Sequence, residues 1–143
     1  YEWPKDEKLG DTTFNVGQIN GGQALNAWAA RADAGMFFRV TTSYDDVKRR
    51  LEGIVRGRAE LDYSLGGNNP VQLNVPPYDA PLGQASFNTD LPYFRGLDTL
   101  KGAFLYGAGT ITKAFGPDEF VPIKELYECV DNHVRLAQTL LKD

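Results

Sequence analysis

The stretch TTFNVGQINGGQALNAWAARADAGMFFRVTT, Thr12 to Thr42, decides the fold. Its opening alternates, which predicts a strand with Phe14, Val16 and Gln18 on one face. NGGQALN, Asn20 to Asn26, then turns the chain. Beyond it Ala32, Ala34, Met36 and Phe38 alternate against Asp33, Gly35, Phe37 and Arg39, so a second strand is predicted antiparallel to the first.

Working outward, SYDDVKRRLEGIVRG supplies Ser43 as an N-cap, Asp45 and Asp46 in a first turn, and Val47, Leu51, Ile54 and Val55 at helical spacing. A helix ending near Gly57 follows from that pattern. RAELDYSL, Arg58 to Leu65, reads as a further strand, closed by GGNNP at Gly66 to Pro70. Strand, strand, helix, strand is what a ferredoxin-like βαββαβ unit leaves when its first strand and helix are missing. The fold class is therefore α+β, with an incomplete ferredoxin-like unit over residues 1–70 and a second part over 71–143.

In the second part VQLNVPPYDAPLG predicts a strand leaving into a Pro-rich connection, and GAFLYG an apolar strand. PIKELYECVDNHVRLAQTLLKD carries Ile123, Tyr127, Val130, Val134, Ala137 and Leu141 on one stripe, predicting a long terminal helix. His133 lies off that stripe and reads as a structural or exposed histidine.

A chain of 143 residues, 42% hydrophobic and 24% charged, has the make-up of a soluble globular protein able to bury a core. No run approaches the roughly 20 apolar residues of a membrane span, so no membrane partner is expected. The net charge of −4 argues against nucleic acid as a partner. The basic run KRRLEGIVRGR, Lys48 to Arg58, is better accounted for as a solvated helix face than as a phosphate patch. Cys129 is the only cysteine, which excludes an internal disulfide. The start, YEWPKDEKLG, shows neither an initiator Met nor a signal sequence, as in a processed or excised piece, and leaves the compartment open between cytoplasmic and secreted.

No catalytic template is complete. There is no nucleophile elbow and no P-loop, and a single histidine cannot build a His-based metal site. GQINGG, Gly17 to Gly22, has the wrong spacing for a dinucleotide fingerprint. Asp118 and Glu119 are adjacent and fit the start of a helix better than a cation site. Arg39 ends an otherwise apolar strand, where a guanidinium is suited to grip a carboxylate through two hydrogen bonds. Asn26, in the turn before that strand, could add an amide donor.

The Thr12–Thr42 stretch and its following helix resemble the lid, or dimerisation, segment of the M20 family of zinc aminoacylases and peptidases, particularly the fungal acetylornithine-deacetylase-like members. SFNTDLPYF and FLYGAGTITKAFGPDEFVPIKELYECV resemble the closing part of that family's catalytic domain. The resemblance implies a di-zinc amidohydrolase in which metal-bound water attacks an amide and a carboxylate acts as general base. It further implies that Asn26 and Arg39 hold the substrate's carboxylate, and that most zinc ligands and the base lie in an amino-terminal half that this chain lacks.

The family's last ligand is a histidine following a Gly-Pro-Gly turn. Aligning GAGTITKAFGPDE puts Phe115 at that histidine and Ala108 at the proline, while Ala29 replaces a proline usual after the Asn. No metal ligand, no cofactor and no catalytic residue is therefore expected in this chain, with zinc reserved for a complete family member. An amino-terminal companion chain, or self-association through the lid sheet around Phe14, Val16, Met36 and Phe38, is the expected partnership. The alternative is a non-enzymatic binding or interaction protein reusing a degenerate scaffold.

Overall fold

A computed structural model describes residues 2–142. Four short strands and two helices occur in the order β1 (Lys5–Asp6), β2 (Gly10–Asp11), β3 (Thr13–Gly21), β4 (Ala32–Arg39), α1 (Tyr44–Val55) and α2 (Ile123–Leu140). Two antiparallel two-stranded sheets form, β1 with β2 and β3 with β4. The chain divides into two compact units, residues 1–72 with 84–97, and residues 73–83 with 98–143.

In the first unit the β3–β4 hairpin is the predicted one, with a difference that matters for its faces. Phe14 pairs with Phe38 and Val16 with Met36, then a bulge intervenes and Gln18 pairs with Gly35, Ile19 with Ala34. Directly opposed residues share a face, and one extra residue shifts every later side chain to the other side. Gln18 therefore leaves the Phe14 and Val16 face, and Ile19 takes its place. The extra residue is Gly17, which has no side chain to place on either face.

The polar lead-in, without predicted structure, forms the small β1–β2 hairpin. Asp6 makes its turn by accepting the N–H groups of Lys8 and Leu9 on Oδ1, both at 2.8 Å. Those two bonds hold the Asp6 carboxyl below the usual carboxylate range. Buried Thr12 ties this lead-in to the base of the larger hairpin. Its N–H reaches the Pro4 carbonyl at 3.0 Å, and its Oγ1 accepts the Thr41 N–H at 3.1 Å.

Helix α1 begins where its sequence predicts, with the Asp46 N–H donating to Ser43 Oγ. It ends one residue before the expected glycine, at Arg56, whose φ is +49°. The strand expected over 58–65 does not form. A strand exists only as a hydrogen-bonded ladder, and residues 58–65 find no ladder partner among the described residues. The stretch after α1 is held by side chains instead, Tyr44 N–H donating to Asn69 Oδ1 at 2.9 Å and Tyr63 packing near Lys48. Gly67 lies beneath the Tyr44 ring, where a Cβ would come within 2.5 Å of the ring edge.

In the second unit the two expected strands are also replaced. Asn74 N–H donates to the Ala103 carbonyl at 2.8 Å, but the Ala103 N–H returns to Asn74 Oδ1, also at 2.8 Å. A side-chain amide thus takes the bond that a ladder would give to a backbone carbonyl, and pairing stops there. Helix α2 forms as predicted, but its apolar stripe is bare: Ile123, Tyr127, Val130, Val134 and Leu141 are all exposed. The composition permits a core, yet Val47 is the only buried apolar side chain among the described residues. The apolar residues are gathered on the open faces of a hairpin and a helix, and an apolar stripe is buried only where another layer covers it.

Candidate functional site

The site argued from the sequence lies on the β3–β4 hairpin. Arg39 closes β4 opposite Thr13, at the base of the hairpin. Its Nη1 donates to the Ser86 carbonyl, and its guanidinium stands 5.5 Å from the centre of the Phe37 ring. Phe37 and Arg39 are two apart on one strand and so share a face, which Asn15, Gln18 and Asn20 continue as a polar surface. Among the described residues Arg39 forms no ion pair, so its charge is available to an anion.

Asn26 sits in the loop of residues 22–31 at the other end of the hairpin, in an exposed turn. That loop is braced by the Ala27 N–H on the Ala24 carbonyl and by Gln23 Nε2 on the Trp28 carbonyl. Leu25 and Trp28 flank the asparagine, both fully exposed. From Ala32, where the loop closes, to Arg39 is seven residues of strand, or about 24 Å. The fold therefore does not bring Asn26 and Arg39 together in one chain.

The opposite face of the hairpin is apolar. Trp3 packs across its base, its ring centre 4.8 Å from Phe38 and 5.6 Å from Phe14, and those two stack at 5.6 Å. Above this cluster Val16, Met36 and Ile19 remain exposed, Ile19 at 77%. Trp3 escaped the sequence reading because it belongs to no periodic segment, and the anchoring role of Thr12 escaped it because its partners, Pro4 and Thr41, lie outside the strand it precedes. The Ser86 carbonyl escaped it as well, since a backbone acceptor 47 residues away leaves no trace in sequence.

The loop Gly107–Glu119 belongs to the second unit. Gly109 is left-handed and donates its N–H to Glu125 Oε2 at 3.0 Å, anchoring the loop to the first turn of α2. Phe115 is left-handed too, at φ +64°, with its ring 89% exposed. His133 lies on α2 beside Tyr106, its Nδ1 2.8 Å from the Cys129 carbonyl, which is a local contact one helical turn back. Among the described residues no three His, Cys, Asp or Glu side chains converge as metal ligands would. The described residues do not fit a zinc site.

Residues 1–62 match the family model of the peptidase dimerisation domain, M20_dimer. These residues are similar to the M20 dimerisation domain. A peptidase M20 domain-containing protein of Schizosaccharomyces pombe is 29% identical, over 97% of the chain and 34% of its own length. A probable carboxypeptidase of Neosartorya fischeri is 30% identical over 96% of the chain and 34% of its own length. A peptidase M20 domain-containing protein of Sordaria macrospora is 31% identical over 94% of the chain and 31% of its own length. The chain spans about a third of the length of these curated relatives. No solved structure matches it. The matched residues contain the β1–β2 and β3–β4 hairpins, Asn26, Arg39 and α1, while the Phe115 loop and α2 fall outside them. No helix of the described residues is long and apolar enough to cross a membrane.

Proposed function

We propose that the chain supplies the lid and the closing segment of an M20-type amide or peptide hydrolase, self-associates through the β3–β4 hairpin, and offers Asn26 and Arg39 to a substrate carboxylate. The observation that carries this is the bare apolar face of Val16, Ile19 and Met36, within the residues that match a dimerisation family. Contiguous exposed apolar surface of this kind marks an interface, and both edges of a two-stranded sheet can accept a further strand.

The 24 Å of strand between Arg39 and the Asn26 loop then has a role. Two copies whose hairpins pair edge to edge about a two-fold axis would continue both faces across the pair, apolar beside apolar, and set the loop of one hairpin beside the base of the other. Asn26 of one copy and Arg39 of the other would then meet one carboxylate, the planar guanidinium fork gripping both oxygens. The lid would occupy residues 1–70 and the closing segment 71–143. In this proposal the chain alone does not hydrolyse amides: Phe115 stands where a histidine ligand would be needed, and zinc belongs with the remaining part of a complete relative.

The test is a titration of the 143-residue chain with an N-acetyl amino acid and with its C-terminal amide, followed by the Arg39 Nε–H resonance. The acid should perturb that resonance saturably and the amide should not, and Asn26→Ala should weaken the acid's effect. Equal responses to acid and amide would overturn the carboxylate role.

A further inference from the structure

The basic run Lys48–Arg58 divides in two in the structure. Its first half is paired: Lys48 with Asp45 at 2.9 Å, and Arg49 and Arg50 with the one carboxylate of Asp46 at 3.5 and 2.9 Å. Its second half is not. Among the described residues neither Arg56 nor Arg58 forms an ion pair.

These two guanidiniums are held in place by backbone instead. Arg58 Nε donates to the Val55 carbonyl at 3.1 Å and its Nη2 to the Ile54 carbonyl at 2.7 Å, while Arg56 Nε donates to the Gly53 carbonyl at 3.2 Å. A guanidinium carries five N–H donors in a rigid fork. The bonds just named leave Nη1 of Arg58 and both Nη nitrogens of Arg56 without a protein acceptor among the described residues.

Arg50, Gly53, Ile54, Arg56 and Arg58 together line an open depression of about 410 Å³ with no acidic residue in its wall. Local stability is given up at this spot twice. Gly53 interrupts the helix where alanine would be favoured by roughly 1 kcal/mol, and nothing lies within 4 Å of the position its Cβ would take, so the floor stays open. Arg56 adopts a left-handed φ of +49° that glycine or asparagine accepts at lower cost. Capping the last turn does not require an arginine there.

We infer that the C-terminal end of α1 binds a phosphate group, and in particular a phosphate monoester. Two guanidiniums held by the backbone supply the charge, and their remaining Nη donors are free for the oxygens of a phosphate dianion. Ile54 in the same wall offers apolar surface to an organic substituent. The chain's net charge of −4 opposes anions elsewhere, so binding should be local to this patch.

The full 143-residue chain would be titrated with sodium phosphate and, separately, with phenyl phosphate, reading arginine Nε–H and residue 50–58 amide resonances against sodium chloride at equal ionic strength. Saturable shifts confined to Arg56, Arg58 and their neighbours are expected, tighter with phenyl phosphate. A response to inorganic phosphate alone would support the site and assign it to the free ion.

Arg56→Gln and Arg58→Gln should each weaken binding roughly fivefold, the scale of one exposed ion pair, and Lys48→Gln should leave it unchanged. Arg58 also caps the helix, so Arg58→Lys and the far-UV helix signal accompany that variant, and Arg56→Gln, which loses one carbonyl contact only, decides if α1 frays. Non-saturating shifts equal to those in chloride, or phosphate binding untouched by Arg56→Gln and Arg58→Lys, would overturn the inference and leave the arginines as caps.

Discussion

Phe38→Ala removes the centre of the aromatic cluster that ties the lead-in hairpin to the lid. Phe38 touches Trp3 at 4.8 Å and Phe14 at 5.6 Å between ring centres. Full burial of a phenylalanine is worth about 1.5–3 kcal/mol; Phe38 is only half-buried, so about 1 kcal/mol of that is lost. Each aromatic contact adds about 0.5–1.5 kcal/mol beyond area. The sum is a destabilisation of about 2–4 kcal/mol, at least a thirtyfold change in the folding equilibrium.

Trp28 is 96% exposed and Trp3 is packed, so a Trp28→Phe background makes Trp3 the sole indole reporter. Urea unfolding followed by its emission should shift its midpoint down by about 1 M, with a red-shifted native spectrum. Phe37→Ala, one residue away but on the opposite face, should cost less than about 1 kcal/mol, since Phe37 is 56% exposed and its ring lies beside the Arg39 guanidinium rather than in the aromatic cluster. An unchanged midpoint and spectrum for Phe38→Ala, or equal losses for the two variants, would refute the assigned faces.

Three further outcomes follow from single residues. Phe115→Gly relieves a left-handed aromatic at a cost of little contact, and a gain of about 0.5–1 kcal/mol after the entropy of glycine should raise the thermal midpoint by a few degrees. Gly67→Ala drives a methyl into the Tyr44 ring and should cost about 1–3 kcal/mol, most of it recovered in the Gly67→Ala, Tyr44→Ala double variant. Asp6 has a folded-state pKa below its ordinary 3.8, so its contribution is present above that value and is lost as pH falls through the lower folded pKa. The Lys8 and Leu9 amides should therefore titrate together with a midpoint below 3.8, and Asp6→Asn should abolish that titration.

What sequence made legible was whatever is periodic and local. The β3–β4 alternation, the Ser43 cap and the α2 stripe all announce themselves within a few residues. The bulge at Gly17 did not, because a register slip depends on which residue of the partner strand is opposite, and it sent Gln18 and Ile19 to exchanged faces. The strand expected at 58–65 failed for a related reason: alternation describes a strand's faces but not the presence of a neighbour. The α2 stripe was legible as apolar, while its exposure was not, since burial is a property of what covers a surface.

For the site, Arg39 stood out as a charge ending an apolar strand. Its separation from Asn26 was hidden in the placement of the 22–31 loop at the far end of the hairpin. The division of the basic run was likewise invisible in composition. Only the structure shows Asp45 and Asp46 spent on the first three cations and Arg56 and Arg58 left with backbone.

The central claim is that the bare face of the β3–β4 hairpin is an interface between two copies of this domain. Sedimentation equilibrium of the 143-residue chain across micromolar concentrations tests it most directly, beside Met36→Asp, which puts a charge in the middle of that face. A reversible shift from 15.8 kDa toward twice that mass, lost in Met36→Asp at unchanged helix content, is the result predicted. A stable 15.8 kDa species at every concentration, or a dimer indifferent to Met36→Asp, would contradict it.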